Sequence, residues 1–119
     1  MKFKEALTEA KKIKMTSKEF NSKYVKNGKI LPNDVDKIEG SLDLSDNKIS
    51  KIENLPDKIE GSLYLHNNKI SVIENLPDKI EGDLDLRYNP LPKRYRDKSF
   101  DELKKIVHKE KVLNRILRK

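Results

Sequence analysis

Few side chains in this sequence are of the types that carry out acid–base, nucleophilic or metal-assisted chemistry. The chain has two histidines, His66 and His108, no cysteine, no glycine-rich phosphate loop and no histidines at metal-ligand spacing. If His66 stands on a strand beside Asp43 or Asp85, the pair lies on an open sheet face, where water is not excluded and protonation shifts little. Asp83 and the other two aspartates could attract a divalent cation, but strands do not wrap an ion as a ligand loop does. We therefore expect no enzyme, no catalytic residue, no cofactor and no metal site.

The binding of anionic groups is a second kind of chemistry that this sequence could support. Residues 87–98, RYNPLPKRYRDK, place five basic residues around two tyrosines, a combination that suits phosphate contacts with aromatic stacking. We take Lys93, Arg94 and Arg96 as the candidate polyanion-binding residues. A solvated loop before the last helix is the alternative interpretation.

Most of these residues belong to a repeat of 21 residues. The segment KIEGSLDLSDNKISKIENLPD (37–57) recurs as KIEGSLYLHNNKISVIENLPD (58–78), and a third copy begins at Lys79 before the pattern ends. Asn47, Asn68 and Asn89 keep the period. In SLDLS the leucines alternate with polar residues, as in a strand with one buried face, so successive copies should pair as parallel strands.

The repeat also predicts which side chains form the core. We expect the strand leucines to point inward, with isoleucines and further leucines completing each turn on the other side, and the asparagines to bond backbone groups. The predicted core is Leu42, Leu44, Leu63, Leu65, Leu84 and Leu86 from the strands, with Ile49, Ile52, Ile70, Ile73, Leu55 and Leu76. Pro56 and Pro77 favour an extended return segment over a helix.

This pattern resembles the leucine-rich-repeat family, whose core is L-x-x-L-x-L-x-x-N-x-L, over roughly residues 30–92. The copies look like the short bacterial and phage varieties. The resemblance implies an α+β solenoid with a parallel sheet on its concave face, and recognition through the outward strand residues. The predicted partner-binding residues are Asp43, Ser45, Tyr64, His66, Asp85, Arg87 and Tyr88. An ordinary solvated sheet face is the alternative.

An open stack of repeats needs covers at both ends, which predicts a helical cap over 1–35, repeats over 36–92, and a basic segment with a second helical cap over 93–119. Phe3, Leu7, Ala10 and Ile13 fit one helical face. Thr16 and Glu19 form a capping box, Met15 and Phe20 a hydrophobic staple, and Asn27–Gly28 would end that helix. Ser99 and Glu102 form the second box, before the apolar face of Leu103, Ile106, Val107, Leu113 and Leu117. Segments that dock on a partner or a membrane surface are the alternative to packed caps.

The first ten residues, MKFKEALTEA, have a second resemblance. They look like the capsid-targeting leader of the internal head proteins of T-even-type phages, which a maturation protease removes after a glutamate. The resemblance implies cleavage between Glu9 and Ala10. Any lysine-rich amphipathic helix could produce the same pattern.

Charge is unevenly placed along the chain, whose formal net charge is +7. Residues 1–36 carry 9 basic and 5 acidic groups, residues 37–78 carry 5 and 8, and residues 79–119 carry 13 and 7. A polyanion should therefore meet the flanks first. With no apolar run of membrane-spanning length, we expect no membrane partner, and with no cysteine we expect a protein of the cytoplasm, or of the host cytoplasm or phage head if phage-encoded. We also expect a monomer. The predicted function is protein binding. If the phage resemblance holds, the expected partner is a host factor, which the chain binds or inhibits. A basic, nucleic-acid-associated or packaged protein is the alternative.

Overall fold

Short strands and two helices make up the part of the chain that the computed structural model describes, residues 13–117. The strands are β1 (Ile13–Met15), β2 (Val25–Lys26), β3 (Lys29–Ile30), β4 (Val35–Ile38), β5 (Leu42–Asp43), β6 (Lys58–Ile59), β7 (Leu63–Tyr64), β8 (Lys79–Ile80) and β9 (Leu84–Asp85). The α-helices are α1 (Ser17–Tyr24) and α2 (Phe100–Leu117), and a 3-10 turn covers Lys93–Tyr95. The fold is α+β, and no helix among the described residues is long and apolar enough to cross a membrane.

Corresponding strands of successive copies pair in parallel. In the sheet β5-β7-β9, Leu42 lies opposite Leu63 and Leu63 opposite Leu84, a register of one repeat. This confirms the parallel sheet predicted from the alternating leucines. A second parallel sheet, β1-β4-β6-β8, is formed by the Lys-Ile pairs of each copy together with residues 13–15. The sequence did not predict this sheet, because strands of two to four residues carry too little alternation to be recognised.

Glycine at the turn between the two sheets allows neighbouring copies to approach closely. The Gly61 N–H donates to the Gly40 carbonyl at 2.8 Å. A Cβ on Gly61 would lie 2.6 Å from the backbone nitrogen of Ser41 and 2.8 Å from the carbonyl carbon of Gly40. Gly61 is therefore required by the contact between copies, whereas Gly40, with a φ of +79°, is favoured by its backbone conformation.

The core lies between the strand leucines and the isoleucines that follow them. Side chains of the first two copies are completely buried, as the repeat predicts; they include Leu42, Leu44, Ile49, Ile52, Leu63, Leu65 and Ile70. Leu55 and Leu76 are half-buried against this core. Leu84 and Leu86, from the last copy, are also only half-buried, because no further strand follows β9 in the sheet.

At the N-terminal end, α1 begins with the predicted capping box. The Glu19 N–H donates to Thr16 Oγ1 at 3.3 Å, and the Thr16 N–H donates to Glu19 Oε1 at 3.1 Å. Met15 and Phe20 are both buried, as a hydrophobic staple requires. The helix therefore starts where the sequence predicts.

Two predictions about this end were wrong. Helix α1 ends at Tyr24, and Asn27–Gly28 instead forms the two-residue turn of the antiparallel hairpin β2–β3. Both residues have positive φ, 49° and 78°, which the tight hairpin turn demands. Ile13 lies in β1 and not on a helical face. Phe3, Leu7 and Ala10, the rest of that predicted face, lie outside the described residues.

At the C-terminal end, α2 begins with the second predicted capping box. The Ser99 N–H donates to Glu102 Oε1 at 2.9 Å, and the Glu102 N–H donates to Ser99 Oγ at 3.2 Å. Leu103 is buried, and Ile106 and Val107 pack against the core. Leu113 and Leu117, predicted on the same packed face, are 56% and 72% exposed. Only the first part of α2 therefore packs on the core, and the rest of the helix extends beyond it.

Candidate binding face

Six of the predicted partner-binding residues lie together on one side of the sheet β5-β7-β9. Because side chains alternate along a strand, burial of the leucines directs the residues between and after them to the opposite side. We call this side the outward face and define it as Asp43, Ser45, Tyr64, His66, Asp85 and Arg87. Tyr64 occupies its centre, because the strand register places it between Asp43 and Asp85.

The first and third copies hold their aspartates in the same way. Asp43 Oδ1 accepts from the Ser45 N–H at 3.0 Å and from the Ser45 hydroxyl at 2.6 Å. Asp85 Oδ1 accepts from the Arg87 N–H at 3.1 Å, and the Arg87 guanidinium reaches both carboxylate oxygens, at 3.0 and 2.8 Å. One turn geometry thus presents a serine in the first copy and an arginine in the third.

These contacts fix the charge of the face. The Ser45 hydroxyl bond holds the pKa of the Asp43 carboxyl below its ordinary value, against the opposing effect of burial. The Arg87 guanidinium lowers the pKa of the Asp85 carboxyl in the same way, and Asp85 in turn raises the pKa of Arg87. All three groups are therefore charged at neutral pH, and Arg87 compensates Asp85 while Asp43 carries its charge into solvent.

Tyr64 and His66 add an aromatic element. Their ring centroids lie 6.1 Å apart with planes at 79°, an edge-on arrangement. His66 Nδ1 lies 3.4 Å from Asp85 Oδ2 and makes no hydrogen bond within the described part of the chain. That distance exceeds the usual reach of a base and its orienting carboxylate, and Asp85 is already engaged by Arg87. The arrangement suits recognition by contact rather than proton transfer.

Tyr88, the seventh predicted residue, stands at the edge of this face. It is 73% exposed and has a φ of 60°. An open groove of about 610 Å³ begins here and runs between β9 and residues 95–98, with Tyr64, Leu84 and Arg87 also on its walls. The groove was not predicted, because it depends on where the segment after the last repeat packs.

Two of the candidate polyanion-binding residues, Arg94 and Arg96, make hydrogen bonds within the protein. Arg94 donates to Glu110 Oε2 at 3.0 Å and lies 4.5 Å from the centre of the Tyr95 ring. Tyr95 is buried, its hydroxyl donates to Glu110 Oε1 at 2.6 Å, and burial raises its pKa. Arg96 donates to the Leu91 carbonyl at 2.9 Å. Tyr95 is thus a core residue and not the stacking platform suggested by the sequence, whereas Lys93, like both arginines, has an exposed side chain.

The asparagine column supports the outward face from behind. Asn68 is buried and accepts from the Asn47 and Ile49 N–H groups at 3.0 and 2.9 Å, while its amide donates to the carbonyls of Leu44 and Leu65. Asn89 repeats three of these four bonds between the second and third copies, accepting from the Ile70 N–H and donating to the carbonyls of Leu65 and Leu86. These bonds tie successive copies together at the ends of the strands that carry the face.

Within residues 13–117, no cluster of three or more acidic or histidine side chains is placed to hold a metal ion. The predicted processing site, Glu9 and Ala10, lies outside the described residues. Comparisons with protein-family models, with curated proteins and with solved structures find no match to this chain.

Proposed function

We propose that the chain is a short leucine-rich-repeat solenoid with helical caps, and that its outward face binds a partner protein. The parallel register of one repeat, the buried leucines and the asparagine column support the solenoid. In such an architecture the residues that point away from the core on the sheet form a continuous surface for recognition.

The distribution of differences between the first two copies carries this proposal. Those copies differ at only four positions, which pair Asp43 with Tyr64, Ser45 with His66, Asp46 with Asn67 and Lys51 with Val72. Three of the four lie on the outward face or immediately after it, whereas every core position is identical. The repeat thus holds its scaffold constant and varies the surface that it displays.

The chemistry of the face suits a protein partner. Tyrosine and arginine are among the residues that most often dominate interface energetics. Tyr64 lies in β7, and Arg87 follows the neighbouring strand β9. Three strands about 4.8 Å apart make a face narrower than the roughly 800 Å² that each partner usually contributes. Tyr88 and the walls of the groove beside β9 extend the available surface.

Nucleic-acid binding through Lys93, Arg94 and Arg96 is the competing function. Arg94 is paired with Glu110, and Tyr95 is buried, which reduces both the free charge and the aromatic surface of that segment. We therefore favour the outward face as the main binding surface, with the basic segment steering an acidic partner toward it.

The test is affinity capture from a lysate of the native cells, with and without nuclease, using wild type and two variants. Tyr64→Ala with Arg87→Ser alters the face while installing at position 87 the residue that Ser45 provides in the first copy. Val72→Lys is the matched control, since Lys51 occupies that repeat position in the first copy. We expect a stoichiometric, nuclease-resistant complex with wild type and the control, and its loss with the face variant. A complex that disappears with nuclease and ignores the face variant contradicts the proposal.

A further inference from the structure

The two edges of the sheet β5-β7-β9 differ in whether their backbone groups are hydrogen-bonded. At the β5 edge, α1 supplies side chains in place of a neighbouring strand. The Asp43 N–H donates to Ser17 Oγ at 2.9 Å, and Asn21 Nδ2 donates to the Asp43 carbonyl at 2.9 Å. This edge is therefore closed, because the backbone groups of Asp43, which point away from β7, are hydrogen-bonded by side chains of α1.

The opposite edge, along β9, is open. The N–H groups of Leu63 and Leu65 donate to the carbonyls of Asp83 and Asp85, so the alternation of a parallel ladder directs the Leu84 N–H and carbonyl away from β7. Neither Leu84 group has a hydrogen-bond partner among residues 13–117, and neither does the Leu86 N–H, which faces the same way. The Leu84 and Leu86 side chains are partly exposed, whereas those of Leu42 and Leu63 are 0% exposed.

The groove of about 610 Å³ lies along this open edge. Its outer wall is formed by Tyr95, Arg96, Asp97 and Lys98, which include two basic residues and one acidic residue, whereas the β9 side carries Asp83, Asp85 and Arg87. An extended chain can present its backbone groups directly to the open edge of β9 between these two walls. Arg96 and Lys98 against Asp97 give the outer wall a net positive charge, which favours acidic side chains on the side of an occupant that faces it.

We propose that the outer edge of β9 takes up an extended, acidic segment of the partner protein, which adds to the sheet as a fourth parallel strand. The inference rests on the proposed function and names the form of the partner. Backbone bonds to Leu84 and Leu86 give the segment its register, alternate apolar side chains cover the half-buried leucines, and the basic wall contacts its carboxylates. Leu84 and Leu86 thereby obtain the environment that Leu63 and Leu65 already have.

The chain itself supplies the probe. A synthetic peptide copying residues 39–46, EGSLDLSD, has alternate leucines and three acidic residues, and its original pairs in parallel within this sheet. If it adds to β9 in the repeat register, the aspartate between its leucines donates to the Leu84 carbonyl and accepts from the Leu86 N–H. The N–H groups of its two leucines face away from β9.

Two N-methylated peptides make matched competitors. Methylation at the aspartate between the leucines removes a donor that faces β9, and methylation at the second leucine removes one that faces solvent. With the full-length chain, we expect the first change to weaken binding about tenfold or more and the second to change it less than about twofold. In ¹⁵N spectra, the Leu84 and Leu86 amides should shift most. Lys98→Glu, on the basic wall, should weaken binding several-fold and leave the circular dichroism spectrum unchanged.

Several results would overturn this inference. In the peptide titration, these are the absence of saturable binding or equal effects of the two methylations. In the ¹⁵N spectra, the contradicting result is amide shifts confined to the outward face. In sedimentation, it is a dimer of the chain alone that is held by this edge. Failure of the proposed function is a separate outcome. If the peptide binds β9 as described while Tyr64→Ala with Arg87→Ser leaves the captured complex intact, the edge proposal stands and the outward face is not the main binding surface.

Discussion

Asn68→Ala should destabilise this protein strongly although it removes no apolar surface. The Asn68 side chain makes five hydrogen bonds to backbone groups, with Asn47, Ile49, Leu44, Leu65 and His66. Two of the carbonyls keep another partner, because Leu65 also accepts from Asn89 and His66 also accepts from the Asp46 N–H. The substitution therefore leaves three groups without these bonds, namely two N–H groups and the Leu44 carbonyl.

Each buried polar group without a partner costs about 1–3 kcal/mol. Since Asn47 is half-exposed and water reaches that end of the column, we expect a total loss of about 3–5 kcal/mol in the free energy of unfolding. Asn47→Ala is the matched control, because among residues 13–117 the Asn47 amide makes a single bond, to the Ser45 carbonyl at 3.0 Å. Its expected cost is about 1 kcal/mol.

Urea titrations followed by circular dichroism measure both quantities. The midpoint should fall much further for Asn68→Ala than for Asn47→Ala, with similar slopes, because the surface exposed on unfolding is nearly the same. Equal costs for the two variants, or a cost below about 1 kcal/mol for Asn68→Ala, would refute the argument that this side chain joins successive copies.

Three further outcomes follow from packing and charge. Leu65→Ala should lower the free energy of unfolding by about 2–5 kcal/mol, because a completely buried side chain is replaced by a cavity; a loss below about 1 kcal/mol in urea would contradict the core assignment. Gly61→Ala should cost about 1–3 kcal/mol, because its Cβ meets the Ser41 backbone, and an unchanged midpoint would oppose the close approach of copies. The Asp85–Arg87 contact should contribute stability above pH 3.8, the ordinary pKa of the Asp85 carboxyl, and lose it as pH falls through the lower folded value. The stability of Arg87→Ala, which removes the side-chain donor altogether, should therefore fall less on acidification, and parallel pH profiles for variant and wild type would argue against this coupling.

Much of the repeat region was predictable because its signals are local and periodic. Alternating leucines fixed both the inward side of each strand and, through it, the positions of Tyr64 and Arg87 on the outward side. The capping boxes at Thr16 and Ser99 were predictable for a similar reason, since each depends on residues three apart. Where the pattern is carried by neighbouring residues, the structure agrees with the sequence.

Other features depend on where distant segments pack, and the sequence did not predict them. The sheet β1-β4-β6-β8 consists of strands of two to four residues, too short to show a clear period. Asn27–Gly28 suits a helix end as well as a hairpin turn, and only the pairing of Val25 with Ile30 decides between them. The contacts of Arg94 and Tyr95 with Glu110 span 15 or 16 residues and depend on how α2 docks.

The most direct test of the central claim is calorimetric titration of the captured partner protein into the chain and its variants at low and high salt. We predict a one-to-one complex that Tyr64→Ala with Arg87→Ser weakens by about 2 kcal/mol or more at either salt concentration. Replacing Lys93, Arg94 and Arg96 with glutamine should change the affinity little at high salt, where steering charges are screened. The opposite result, a silent face variant with binding that disappears both in the glutamine variant and at high salt, would contradict the outward face as the binding surface and indicate a polyanion instead.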